Sequence, residues 1–211
     1  MKRDDFMIVI LDYKMGNIGS IVNMLKKIGE KAIVSNDKEL IKHADKIILP
    51  GVGSFDMGMR RLAEFGLIEV IENHAIKNMK PLLGICLGMQ LLGRKSEEGS
   101  LPGLGLIPFD NVKFSFGDGN TLKIPHMGWD RVTFAENNIP LLSGLKSPQR
   151  YYFVHSYHAV CDSTEDSIAE CDYGYRFTVA VHKNNIYGVQ FHPEKSHNFG
   201  MEILRNFVER C

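Results

Sequence analysis

The chain has 211 residues, and its 25 Lys and Arg balance 25 Asp and Glu to give a formal net charge of zero. That balance argues against a protein whose main work is on nucleic acid or anionic lipid, since both select for clustered positive charge. A hydrophobic content of 44% excludes a disordered chain. No apolar run approaches the ~18 residues that span a bilayer. The opening Met1-Lys2-Arg3-Asp4-Asp5-Phe6-Met7 lacks the apolar stretch of a signal peptide, so one cytoplasmic domain over residues 1–211 is expected.

The first half alternates strand and helix signals. Met7–Leu11 is a short apolar run of the kind buried on both faces of a parallel sheet. After the loop Asp12–Asn17, the spacing of Ile21, Leu25 and Ile28 predicts a helix over Ile18–Ile28 that Gly29 ends. Ala32–Ser35 and Lys46–Leu49 repeat the strand signal. A helical stretch follows from about Asp56 to Met79, broken near Gly66. Pro81–Ile85 reads as the next buried strand, and Leu87–Gly93 as the start of a helix. Strands and helices in alternation imply a parallel sheet covered on both faces.

From Leu106 onward the runs are short and strand-like: Val112–Phe116, Arg131–Phe134, Tyr151–Tyr157, Thr178–Val181 and Ile186–Phe191. The pairs Asp118-Gly119 and Asn184-Asn185 predict antiparallel hairpins. A last helix over Phe199–Glu209 carries an apolar stripe, with Asn198 as its candidate cap.

The strongest chemical signal is the run from Pro81 to Leu92, in which a buried strand meets Gly84-Ile85-Cys86-Leu87-Gly88 and then a helix. This is the layout of a nucleophile elbow with cysteine in place of serine. Glycines at 84 and 88 relieve crowding in the sharp turn. Cys86 then sits at a helix start, where free N–H groups favour a thiolate, and the Leu87 N–H is placed to donate to an oxyanion. A buried structural cysteine is the plainer alternative, but paired glycines between strand and helix favour the nucleophile.

A nucleophile needs a base. His192-Pro193-Glu194 follows another apolar strand, and Pro193 biases His192 toward an extended conformation. In an extended segment residues i and i+2 face the same way, so Glu194 can accept one imidazole proton while the other nitrogen takes the thiol proton. A third element, Leu49-Pro50-Gly51-Val52-Gly53, is a turn at a strand's carboxyl end, where α/β proteins bind ligands. Its peptides can supply a second oxyanion donor.

Other features are weaker. Gly16-x-x-Gly19 lacks a dinucleotide or phosphate-loop fingerprint. The group His155, His158 and Cys161 has no second ligand pair and reads as structural. Four cysteines (Cys86, Cys161, Cys171, Cys211) without a Cys-x-x-Cys pair suit neither a disulfide scaffold nor a zinc ribbon. No metal and no cofactor are expected. The segment Pro125-His126-Met127-Gly128-Trp129 is rigid and apolar, as interface segments often are.

Together these segments resemble the class I glutamine amidotransferases. Gly84–Gln90 and His192-Pro193-Glu194 are similar to that family's two signature motifs, and Leu49–Gly53 is similar to its oxyanion strand. The resemblance runs from about Met7 to the end of the chain. Four segments are similar to the branch that forms the glutaminase subunit of imidazole glycerol phosphate synthase: Asp12-Tyr13-x-x-Gly16-Asn17, Pro125–Trp129, Tyr152–Tyr157 and Gln190–Ser196.

The resemblance implies an α/β fold, with a central, mostly parallel sheet flanked by helices and a smaller antiparallel portion. It also implies a glutaminase with Cys86, His192 and Glu194 as catalytic triad and the Val52 and Leu87 peptides as oxyanion donors. Gly51, Gln90, Ser156 and Tyr157 would bind glutamine. The ammonia would pass to a (β/α)8 cyclase subunit docked on Pro125, His126, Met127 and Trp129, in histidine biosynthesis. Asp130, where this branch usually has Asn, Lys14 and the run His197–Gly200 depart from the pattern. Similar copies serve amidotransferases acting on surface-polysaccharide sugars, so that acceptor stays open, as does a cysteine hydrolase or binding protein of the same fold.

Overall fold

The computed structural model describes residues 6–117, 119, 121–135 and 138–211. The first half builds β1 (Ile8–Leu11), α1 (Ile18–Lys27), β2 (Ala32–Ser35), α2 (Lys38–His43), β3 (Lys46–Leu49), α3 (Phe55–Glu64), α4 (Ile68–Glu72), β4 (Leu82–Ile85) and α5 (Leu87–Leu91). The second half builds β5 (Lys95–Ser96), β6 (Phe109–Lys113), β7 (His126–Phe134), β8 (Gln149–His155), β9 (Tyr157–Cys161), β10 (Ser167–Asp172), β11 (Arg176–Lys183), β12 (Ile186–Val189) and α6 (His197–Arg210).

One sheet joins both halves, in the order β2-β1-β3-β4-β12-β11-β10-β7-β8, with β9 branching from β11 to β6 and β5. The pairs from β2 to β12 are parallel, and β11, β10, β7 and β8 extend the sheet antiparallel. Every residue of β1, β3, β4 and β12 is buried, which is why these strands read as unbroken apolar runs rather than alternating ones. The edge strand β2 instead leaves Ile33 and Val34 exposed.

The boundaries of the parallel half follow its sequence signals closely. Gly66 (φ 62°) interrupts the helical stretch between α3 and α4 as expected. Asn184 (φ 55°) turns β11 into β12, and Asn185 Nδ2 donates to the Ala75 and Lys80 carbonyls at 2.8 and 2.7 Å. That side chain ties the hairpin to the segment leading into β4.

The antiparallel half departs more. The strand expected at 112–116 runs instead over Phe109–Lys113, because Phe114 leaves the sheet to pack among Phe116, His126, His158, Tyr173 and Phe177. The strand expected at Arg131 begins five residues earlier, where His126 pairs with His155. The helix after Cys86 stops at Leu91, short of Gly93. β10 (Ser167–Asp172) has no strand signal in the sequence pattern. The hairpin expected at Asp118 lies outside the described residues. Asn198 is no cap: α6 starts at His197, and the preceding Ser196 spends its hydroxyl on the His192 carbonyl at 2.7 Å.

Candidate active site

β4 delivers Cys86 to the carboxyl edge of the sheet. Its backbone (φ 55°, ψ −113°) is a conformation that side chains rarely adopt, held by the Cys86 N–H donating to the Val189 carbonyl at 2.8 Å. Strain of this kind persists where surrounding structure over-determines it, and the sharp strand-to-helix turn has the geometry of the elbow expected there. The glycines follow from contact distances. A Cβ on Gly84 would stand 2.7 Å from the Gly88 carbonyl oxygen, and one on Gly51 would stand 2.8 Å from the Gly88 nitrogen. The Gly51–Val52 turn therefore lies directly on the start of α5, with Tyr13 donating its buried hydroxyl to the Pro50 carbonyl.

His192 arrives from the loop after β12. Its N–H donates to the Tyr152 carbonyl at 2.9 Å, and its Nδ1–H donates to Glu194 Oε1 at 2.7 Å. The two side chains are 1% and 3% exposed. The pairing is the one expected, but its local cause is not. β12 ends at Val189 and Pro193–Lys195 forms a single 3-10 turn, so it is that turn that brings Glu194 under the ring.

With Nδ1 committed to Glu194, Nε2 faces Cys86 and has no other partner among the described residues. Burial alone would lower the imidazole pKa. Hydrogen bonds and charge from Cys86 and Glu194 outweigh it and push His192 up to about 10.

Two further polar residues, Gln190 and Glu98, stand at the site. Gln190 is fully buried; its Nε2 lies 3.7 Å from Cys86 Sγ, and its Oε1 accepts from Gln90 Nε2 at 3.0 Å. A glutamine at the end of an apolar strand was the available signal. Glu98 accepts from the Phe55 N–H at 2.7 Å and faces the cleft, but nothing in its local sequence marks it.

Cys86 and His192 open onto a cleft of about 300 Å³. Val52, Leu87, Gln90, Ser156 and Tyr157 are among its walls, joined by Pro125, which was expected at a partner interface, whereas Gly51 packs behind the wall against α5. Gln90 gives its amide hydrogens to Gln190 and to the Tyr157 carbonyl (3.3 Å), so it braces the cleft and leaves its oxygen for a ligand. Met127 and Trp129 on β7 are exposed, 61% and 36% respectively, and Trp129 stacks on His197 at 5.3 Å. His126 does not join this surface. It is 2% exposed and its ring turns inward to His155 and Asp130, which corrects its expected place at an interface.

The profile of the family described as glutamine amidotransferase class-I matches residues 9–211. The chain belongs to the class-I glutamine amidotransferase family. This amidotransferase is 53% identical over 205 residues to imidazole glycerol phosphate synthase subunit HisH 2 of Methanococcus maripaludis, covering 97% of this chain and 100% of that one. It is 50% identical over 203 residues to the HisH 2 subunit of Pseudomonas aeruginosa, covering 96% and 99%. Among solved structures, PurLQS from Thermotoga maritima superposes with a TM-score of 0.72 at 18% identity, covering 97% and 98% of the two chains. At that identity the likeness speaks for the shared fold.

Proposed function

We propose that this amidotransferase is the glutaminase subunit of imidazole glycerol phosphate synthase, working in the cytoplasm in histidine biosynthesis. Two relatives bearing that subunit's name match it at half identity over nearly their whole length. The observation that carries the chemistry is the buried Glu194–His192 pair whose free Nε2 faces Cys86 on a strained elbow.

The mechanism follows from that geometry. Glutamine enters the cleft with its side-chain amide over Cys86. Gln90, Ser156, Tyr157 and Glu98 line the remainder, and the Glu98 carboxylate suits an α-ammonium group. The Cys86 thiolate attacks the amide carbon, and the oxyanion rests on the Val52 and Leu87 N–H groups. The His192 imidazolium protonates the amide nitrogen, the C–N bond breaks, and ammonia leaves a thioester on Cys86. Neutral His192 then takes a proton from water, whose oxygen attacks the thioester; glutamate departs and the thiolate–imidazolium pair is restored. Glu194 keeps the Nδ1–H in place throughout. Pro125 at the cleft wall and the exposed Met127 and Trp129 that follow it on β7 form the surface on which a (β/α)8 cyclase subunit docks to receive the ammonia.

Reconstitution tests the reading. Mixed with the barrel cyclase subunit and its ribotide substrate, the wild-type chain gives imidazole glycerol phosphate from glutamine, and C86A gives it from ammonium salts alone. If glutamine is hydrolysed but neither nitrogen source yields product, the cyclase assignment fails and a sugar amidotransferase becomes the acceptor to assay.

A further inference from the structure

Away from Cys86, a second group of titratable side chains meets between β7 and β10. His126, Asp130 and Cys171 each place one ligand atom within 4.8 Å of the other two. The closeness is not automatic. Residues four apart in a regular strand lie about 13 Å apart, yet His126 Nε2 and Asp130 Oδ2 are 3.3 Å apart. Gly128, between them with φ 123°, distorts the strand locally without interrupting its pairing with β8. Cys171 comes from the neighbouring strand, where it pairs with Val132.

The hydrogen-bond directions then become decisive. The Tyr157 carbonyl can only accept, so His155 donates its Nδ1–H to it at 2.8 Å. Neutral His155 therefore offers a bare Nε2, and His126 must donate its Nδ1–H there, at 3.0 Å. That leaves the Nε2 lone pair of a neutral His126 pointing at the Asp130 carboxylate. Two acceptors facing each other repel unless a cation or a proton lies between them.

We infer that His126 Nε2, Asp130 Oδ2 and Cys171 Sγ form a binding site for a borderline divalent transition-metal ion, zinc(II) by ligand chemistry. One imidazole, one carboxylate and one thiolate form a donor set that zinc accepts in tetrahedral geometry. Metal–ligand distances of ~2.0–2.1 Å at the tetrahedral angle put nitrogen and oxygen donors about 3.3 Å apart. That is the spacing found here. The other nitrogen of His126 already donates to a buried acceptor, as the second shell of metal-bound histidines does. Asp130 and Cys171 also line a cleft of about 260 Å³, which gives an ion a way in and leaves room for a water as fourth ligand. Arg131 and Arg176 line the same cleft, with Arg176 paired to Glu170 at 3.8 Å. Binding converts the Cys171 thiol to thiolate and releases its proton to solvent. Through His126, His155 and the Tyr157 carbonyl, the ion braces the cleft wall that Gln90 also holds.

The test is titration of the chelator-stripped full chain with zinc(II) and with cobalt(II), in a C86A background so that the nucleophile cannot bind metal. The expected result is one equivalent bound in competition with a micromolar chelator, a thiolate-to-cobalt charge-transfer band, and one proton released. C171S abolishes the band, and D130N weakens binding at least tenfold while the circular dichroism is unchanged. Binding weaker than micromolar, or a band that survives C171S, overturns the site. So does a nuclear magnetic resonance spectrum of metal-treated protein in which a proton still bridges His126 and Asp130. None of these readouts depends on glutaminase activity.

Discussion

Replacing Glu194 by glutamine isolates what the buried carboxylate contributes. The amide oxygen of Gln can still accept from His192 Nδ1–H across the 2.7 Å contact, so the tautomer and ring orientation are preserved and the charge alone is lost. A hydrogen bond to a charged partner contributes about 1.5–3 kcal/mol. With both groups almost fully buried, little of that is screened. A neutral hydrogen bond of about 0.5–1.5 kcal/mol remains, so the net loss of about 1–1.5 kcal/mol predicts a fall in kcat of roughly fivefold to 13-fold and a lower His192 pKa.

The stability consequence has a definite sign. His192 is raised to about 10 in the folded chain, against roughly 6.5 when unfolded. Its contribution is therefore complete below about pH 6.5 and disappears as pH climbs toward 10. The gap in Tm between wild type and E194Q should be widest near pH 6 and close by pH 10. Glutamate release across that range, the rate of Cys86 alkylation by iodoacetamide and thermal melts supply the data. An E194Q chain with wild-type kcat and a Tm gap independent of pH would refute the reasoning.

Three further outcomes are expected. Gly51→Ala drives a Cβ against the Gly88 nitrogen and displaces the Val52 donor, so steady-state assays should show kcat reduced about 10²–10³-fold with circular dichroism unchanged. Asn185→Ala removes two hydrogen bonds to carbonyls of the segment before β4, and urea unfolding should show a loss of about 1–3 kcal/mol. Trp129→Ala removes the exposed ring that stacks on His197; calorimetry with the cyclase subunit should show weaker association at unchanged basal glutamine hydrolysis.

The parallel half was legible because its information is local. β1, β3 and β4 are buried on both faces and appear as bare apolar runs, and Gly84 and Gly88 mark a turn that excludes side chains. Cys86, His192 and Glu194 were legible as candidates for the same reason, as each sits in a short motif. What stayed hidden depends on contacts across the sheet. Gln190 reaches Cys86, and Glu98 the cleft, through contacts across the fold. The inward turn of His126 comes from its pairing opposite His155 on β8, and its approach to Cys171 joins positions 45 residues apart. Phe114 reads as a strand residue until its aromatic neighbours are assembled around it.

The central claim is that Cys86 is the nucleophile toward a glutamine side chain. A diazo-ketone analogue of glutamine, incubated with the purified chain and its cyclase partner and followed by peptide mass spectrometry, tests it most directly. The account predicts a single covalent adduct on Cys86 that excess glutamine prevents and that H192A slows at least a hundredfold. An unmodified Cys86, or an adduct carried by Cys161, Cys171 or Cys211 instead, would contradict it.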